Sequence, residues 1–276
     1  MTIAIPYHAY TKKQLPKIEK EKCHRFDCSV HARRLWVWAM LLLSCFAAYV
    51  SSESSVIELA WVESAGSVSP QWTARQELAG VSFDDGMILA LGGTRFNGSD
   101  GASDSVLFNS VFELDTENIT TVTPAAEWDP RYGHCATRLL NSDDVFVIGG
   151  GGLGGFPYSC FNDAWRSINR GATWVQLSSN VFPRGREWLG CVSTSPTTLL
   201  AFGGTGKNGQ QNDVFVATNV RRNSSAVSWS KLRGDAVPSS CNVTDHRRIW
   251  SKRDSFAFAF MPLKHRIVIA GGGGPS

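Results

Sequence analysis

Few side chains in this chain are spaced so that they could act together on a substrate. Cys23, His24, Cys28 and His31 cluster near the N-terminus and are of metal-ligating types, but their spacing fits no zinc pattern. His134, His246 and His265 lie far apart. His134 sits at the strand-a position of a repeated unit and reads as a packing residue, and His246, beside Asp245, Arg247 and Arg248, reads as part of a solvated loop. Arg75, Arg131, Arg186 and Arg253 could suggest an anion site, but each recurs at the same place in a repeat, which favours a structural role. Glycine pairs stand at Gly92–Gly93, Gly149–Gly150, Gly203–Gly204 and Gly271–Gly272. They do not form a phosphate loop, because strand rather than helix follows them and no Gly-Lys-Ser/Thr occurs. The sequence therefore offers no catalytic set, metal set or cofactor site, and a non-enzymatic protein is expected.

The elements that hold these residues form a repeat. The glycine pairs are spaced by 57, 54 and 68 residues, and an arginine precedes each pair by 17 or 18. A strand-forming run ends in each pair: MILALGG (87–93), VFVIGG (145–150), LLAFGG (199–204) and RIVIAGG (266–272). A polar loop follows, then SVFELD (110–115), NDAWRS (162–167) or NDVFVA (212–217), then ITTVT (119–123), TWVQL (173–177) or SWSKL (228–232). Fixed self-similarity at this period marks a repeat architecture. Each unit reads as four short strands, a to d, with strand a after the arginine and strand b ending in the glycines. ELAWV at 58–62 reads as a stray d strand. Strand b is apolar on both faces and should be buried near the middle of the assembly. Trp165 and Phe215 on strand c, and Trp174 and Trp229 on strand d, supply apolar area for neighbouring sheets to cover.

The order of these motifs resembles the kelch family of β-propellers. The best match is unit 130–177, with Pro130-Arg131-Tyr132-Gly133-His134, Gly149-Gly150, Asn162-Asp163-Ala164-Trp165 and Trp174. The resemblance implies an all-β propeller of blades at 73–124, 131–177, 186–232 and a partial blade at 253–276, within a domain of 57–276. It also implies a binding scaffold with function in the loops. Unit three departs from the pattern, with Glu187-Trp188-Leu189 where Gly-His is expected. Propellers have about 4–8 blades, so about three and a half four-stranded blades predict an incomplete propeller with an exposed edge. Ser167-Ile168-Asn169-Arg170-Gly171-Ala172-Thr173-Trp174 is similar to the Asp-box hairpin of sialidases, with Asn169 in place of the aspartate. That box is structural, so it supports a propeller rather than catalysis. A remnant of a sialidase-like or galactose-oxidase-like enzyme is the alternative reading.

Compartment and partners follow from the ends and the composition. Residues 1–34 form a basic tail with eight Lys/Arg and three acids, whereas the remainder holds 19 bases and 21 acids. That remainder has no basic run, so nucleic acid is not an expected partner. Residues 35–50 are sixteen uncharged residues preceded by Arg33 and Arg34, and with Ser51 and Ser52 they read as a hydrophobic helix over 35–52. It serves either as a secretory signal or as an uncleaved anchor, and it is the only expected membrane contact. Either role sends the C-terminal part into the secretory pathway, as a secreted or single-pass type II membrane protein. Candidate N-glycosylation sequons at Asn97, Asn118, Asn223 and Asn242 agree. Cys135, Cys160, Cys191 and Cys241 permit two disulfides there. Cys135 and Cys191 occupy like places in successive units, so a bridge between them and free buried thiols both stay open. The expected partner is a protein or a glycan.

Overall fold

The computed structural model describes residues 72–96, 105–115, 118–154, 159–221, 227–233, 250–261, 263 and 266–274. The N-terminal tail, the 35–52 run, ELAWV, the sequons at Asn97, Asn223 and Asn242, and Cys241, His246 and His265 lie outside those residues. Among the described residues, no helix is long and apolar enough to cross a membrane.

The described residues are all-β and repeat one antiparallel meander. In unit one, β1 (Ala79–Ser82) and β2 (Ile88–Leu91) pair, a small hairpin of β3 (Thr94–Phe96) and β4 (Ser105–Leu107) follows, and β5 (Val111–Leu114) and β6 (Ile119–Thr123) complete the sheet in the order β1-β2-β5-β6. Unit two joins β7 (Cys135–Arg138), β8 (Val145–Ile148), β9 (Ala164–Ser167) and β10 (Val175–Ser178) in the same sequential order. Unit three has β11 (Gly190–Ser195) and β12 (Thr198–Phe202), a hairpin of β13 (Thr205–Gly206) and β14 (Gly209–Gln210), then β15 (Val214–Thr218) and β16 (Trp229–Arg233). Unit four contributes β17 (Ala257–Met261) paired with β18 (Arg266–Ala270). These are the a, b, c and d strands of the sequence. Each c–d ladder carries one register shift, at Val111/Phe112, Gln176/Ser178 and Val214/Phe215. A bulge of this kind raises the local twist.

Burial explains why the repeat is stable only as a stack. Strand b of unit two is buried at every position, and that of unit one at three of four. Leu89, Leu91 and Val111 of unit one pack with Val145, Val147 and Trp174 of unit two. Ile148 and Ala164 of unit two pack with Leu189, Ala201 and Phe215 of unit three. Phe202 of unit three packs with Phe256 and Phe258 of unit four. Each apolar layer is thus shared between neighbouring sheets. At about 25 cal/mol per Å² of apolar surface buried, one sheet alone would forgo most of this stabilisation.

Two features differ from the sequence reading. The strands that meet their counterparts in the next unit are the a strands, β1 with β7, β7 with β11 and β11 with β17, while strand b is interior to its own sheet. The glycines thus end a strand that is buried and interior to its sheet, as expected, while the contact between units runs through strand a. The polar b–c loops of units one and three also fold into the hairpins β3–β4 and β13–β14.

Candidate binding site

The repeated polar residues are engaged in holding the units together. Arg131 is fully buried, donates from Nη1 to the Gly149 carbonyl at 2.9 Å, and forks onto Asp163 at 2.7 and 2.9 Å. Arg186 does the same with the Gly203 carbonyl at 3.0 Å and with Asp213 at 2.5 and 3.2 Å. Arg75 reaches the Gly92 carbonyl at 3.1 Å and, where the acid would stand, the Ser110 hydroxyl at 2.9 Å. Arg253 donates to the Gly271 carbonyl at 2.7 Å and to Ser251. In units one to three the arginine therefore ties strand b to the start of strand c. The guanidinium also lies over an aromatic ring, Phe108 for Arg75, Phe161 for Arg131 and Phe182 for Arg186, each about 4 Å away. In the middle repeat, Gly149 and Gly150 hold φ of 61° and 108°. A Cβ on Gly150 would stand 2.8 Å from the His134 Cβ and 2.9 Å from the Tyr132 carbonyl, so both conformation and space require glycine there.

The residue two places after each arginine is left-handed in every unit: Glu77 (φ 56°), Gly133 (55°), Trp188 (52°) and Ser255 (51°). Three of these are not glycine, and such a backbone costs about 1–2 kcal/mol per residue. The strain is offset by a hydrogen-bond relay between units. Gly133 N–H donates to the Glu77 carbonyl at 3.0 Å, Trp188 N–H to Gly133 at 2.6 Å, and Ser255 N–H to Trp188 at 3.1 Å. The residue just before each, Gln76, Tyr132, Glu187 or Asp254, bridges the residue after the glycine pair of its own unit.

This relay gathers side chains that do not repeat. Glu187 is fully buried, and among the described residues its carboxylate meets the Tyr132 hydroxyl in a hydrogen bond that falls short of full geometry. Burial pushes its pKa up to about 7, the negative charges of Glu77 and Asp254 add to the rise, and the Tyr132 hydroxyl opposes it. Burial and then the Glu187 charge also push the Tyr132 phenol upward. Glu77 is raised by burial as well, against the indole of Trp188, whose Nε1 donates to its Oε2 at 3.3 Å. The Tyr132 and Trp188 rings stand 6.2 Å apart, tilted by 53°. Gln210 holds Asp254 at 3.0 Å. A Cβ on Gly151 would run into the Glu187 carboxylate and the Tyr132 ring, so glycine there leaves the two room to meet. The Cys160 thiol lies at the margin, raised to about 11 by burial first and the Glu187 charge second.

The other candidate residues take structural places. His134 is buried against Trp128, with ring centroids 5.9 Å apart, and neither ring nitrogen has a hydrogen-bond partner among the described residues. Burial and then the Arg131 charge lower its pKa to about 3, so the ring is neutral. In the Ser167–Trp174 hairpin, the Ser167 hydroxyl accepts from Gly171 N–H at 2.8 Å, Asn169 Oδ1 accepts from Thr173 N–H at 3.0 Å, and Trp174 Nε1 donates to the Gly171 carbonyl at 3.0 Å. Asn169 thus closes the turn as an aspartate would. Cys135 and Cys191 form a disulfide between β7 and β11, while Cys160 has no disulfide partner among the described residues. Asn118 lies at the end of the c–d turn, just before β6, where its N–H bonds Asp115 at the turn's start. Among the described residues, no group of three His, Cys, Asp or Glu stands close enough to hold a metal ion.

Glu77, Tyr132, Glu187 and Asp254 were not singled out as site residues from the sequence. The one signal was the unit-three departure, Glu187-Trp188, from the repeat pattern. Their convergence depends on stacking that no single unit displays. No family model matches the chain, and no curated protein matches it in sequence.

Proposed function

We propose that the chain is a kelch-type β-propeller interaction module that binds a protein or a glycan without chemical turnover. It would work in the secretory pathway or at the cell surface, secreted or held by the 35–52 segment as a type II anchor. One observation carries the reading. The repeated arginines and glycines serve the scaffold, whereas non-repeating acidic and aromatic side chains from four successive units, Glu77, Tyr132, Glu187, Trp188 and Asp254, meet at one end. A scaffold that presents varied side chains from several strands suits recognition of an extended surface. The Cys135–Cys191 bridge suits an oxidising compartment.

The test is to probe peptide and glycan arrays with the full chain and to assay the captured ligands for cleavage. Capture without turnover is expected. Hydrolysis or oxidation of a captured glycan would replace this reading with that of a carbohydrate-active enzyme.

A further inference from the structure

The interaction reading leaves open what chemistry the convergent end recognises, and the buried acid there narrows it. A carboxylate with no exposure, met among the described residues by the Tyr132 hydroxyl in an incomplete hydrogen bond, is costly to keep charged unless a partner neutralises it. Such a group either holds a proton or awaits a cation. Three surrounding features favour a cation. Glu77 and Asp254, both half-buried, add negative charge that Glu187 feels. Tyr132 and Trp188 present two half-buried rings 6.2 Å apart, whose faces attract a positive group. The indole of Trp188 is oriented by Glu77, so the acid and the ring are placed together.

Resting on the interaction reading, we propose that this end is a receptor for the guanidinium of an arginine side chain on the partner, with the Glu187 carboxylate as its terminal anchor. The cation meets Glu77, Asp254 and the Trp188 ring at the rim. The Tyr132 ring, which packs beside Gly151 and faces Glu187, is the movable cover. Its displacement opens the carboxylate to a planar group that can engage both oxygens at once, the geometry in which arginine surpasses lysine. An arginine thereby takes the place of the Tyr132 hydroxyl and gives each Glu187 oxygen a full hydrogen bond.

The test titrates the full-length, disulfide-intact protein with acetyl-Gly-Arg-Gly amide and with the citrulline peptide, a neutral isostere of the same shape, following heat and tryptophan fluorescence. The arginine peptide is expected to bind at least about tenfold more tightly than the citrulline peptide, and Glu187→Gln to remove that difference. Glu187→Gln keeps the shape and removes the buried charge. Should it fail to fold, the citrulline comparison on the unaltered protein still decides. Equal affinity for the two peptides, unchanged arginine binding in Glu187→Gln, or no saturable binding below about 10 mM would overturn the proposal. The two readings fail separately. Charge-independent capture of an array ligand sinks the arginine receptor and leaves the interaction module, whereas ligand turnover sinks the module itself.

Discussion

Glu187 and His134 are buried titratable groups whose effects on stability have opposite signs. An acid whose folded pKa lies above its unfolded value binds its proton more tightly when folded. The stability linked to Glu187 is therefore full below its ordinary value of 4.5 and is lost as pH rises through about 7. His134 is lowered from 6.5 to about 3, so its contribution is full above 6.5 and is lost as pH falls toward 3. The two slopes oppose each other between 4.5 and 6.5, so the variant difference is more informative than the whole curve. Glu187→Gln should gain stability relative to the parent as pH rises from 4.5 to 7, read from urea midpoints at a series of pH values. A pH-independent difference would show that the Glu187 proton is not held. Gly133 gives a second prediction at this scale. Its φ is 55°, and a Cβ there would stand 2.7 Å from Trp188 Cδ1. Gly133→Ala should cost about 2 kcal/mol or more in denaturant unfolding, from left-handed strain plus displacement of the indole. A loss below about 0.5 kcal/mol would mean that the Trp188 ring moves freely aside.

Within each unit, the arginine that joins strand b to strand c should be worth most where its acid partner is buried. Arg131→Ala strands Asp163 in the interior and should cost about 3–5 kcal/mol. Arg253 reaches a carbonyl and a serine but no carboxylate among the described residues, so Arg253→Ala should cost about 1 kcal/mol. Equal losses in thermal or urea unfolding would contradict the assignment. The β7–β11 disulfide closes a separation of 56 residues, so replacing Cys135 and Cys191 by serine should cost up to about 4 kcal/mol by chain entropy. Much of this level was legible in the sequence, because a strand needs only period, glycine placement and apolar content to be read. The arginine-to-glycine spacing located strands a and b, and the aromatics located c and d. The residues that pair with the arginines, Asp163 and Asp213, were visible only as part of the c motif. Their role appears once the antiparallel order sets strand c beside strand b, where the arginine ahead of strand a reaches past the glycine carbonyl to the acid. The hairpins β3–β4 and β13–β14 were read as loops, since short polar turns carry no apolar period.

The stacked units present two different ends. At one, the a–b and c–d turns are tied by exposed ion pairs, with Arg170 meeting Asp85 and Asp143 and Arg138 meeting Asp84. Pairs this exposed contribute little to stability. At the other, the left-handed residues pass hydrogen bonds from unit to unit and the acidic and aromatic side chains collect. That contrast could not be read from the sequence, because each contributor belongs to a different repeat, and only Glu187 and Trp188 stood out as departures. The most direct measurement compares ligand capture on peptide and glycan arrays by the full-length protein, by Trp188→Ala and by Asp85→Ala. The account predicts capture without turnover by the parent and by Asp85→Ala, and its loss in Trp188→Ala. Capture that survives in Trp188→Ala and fails in Asp85→Ala would place recognition at the turn end and contradict it.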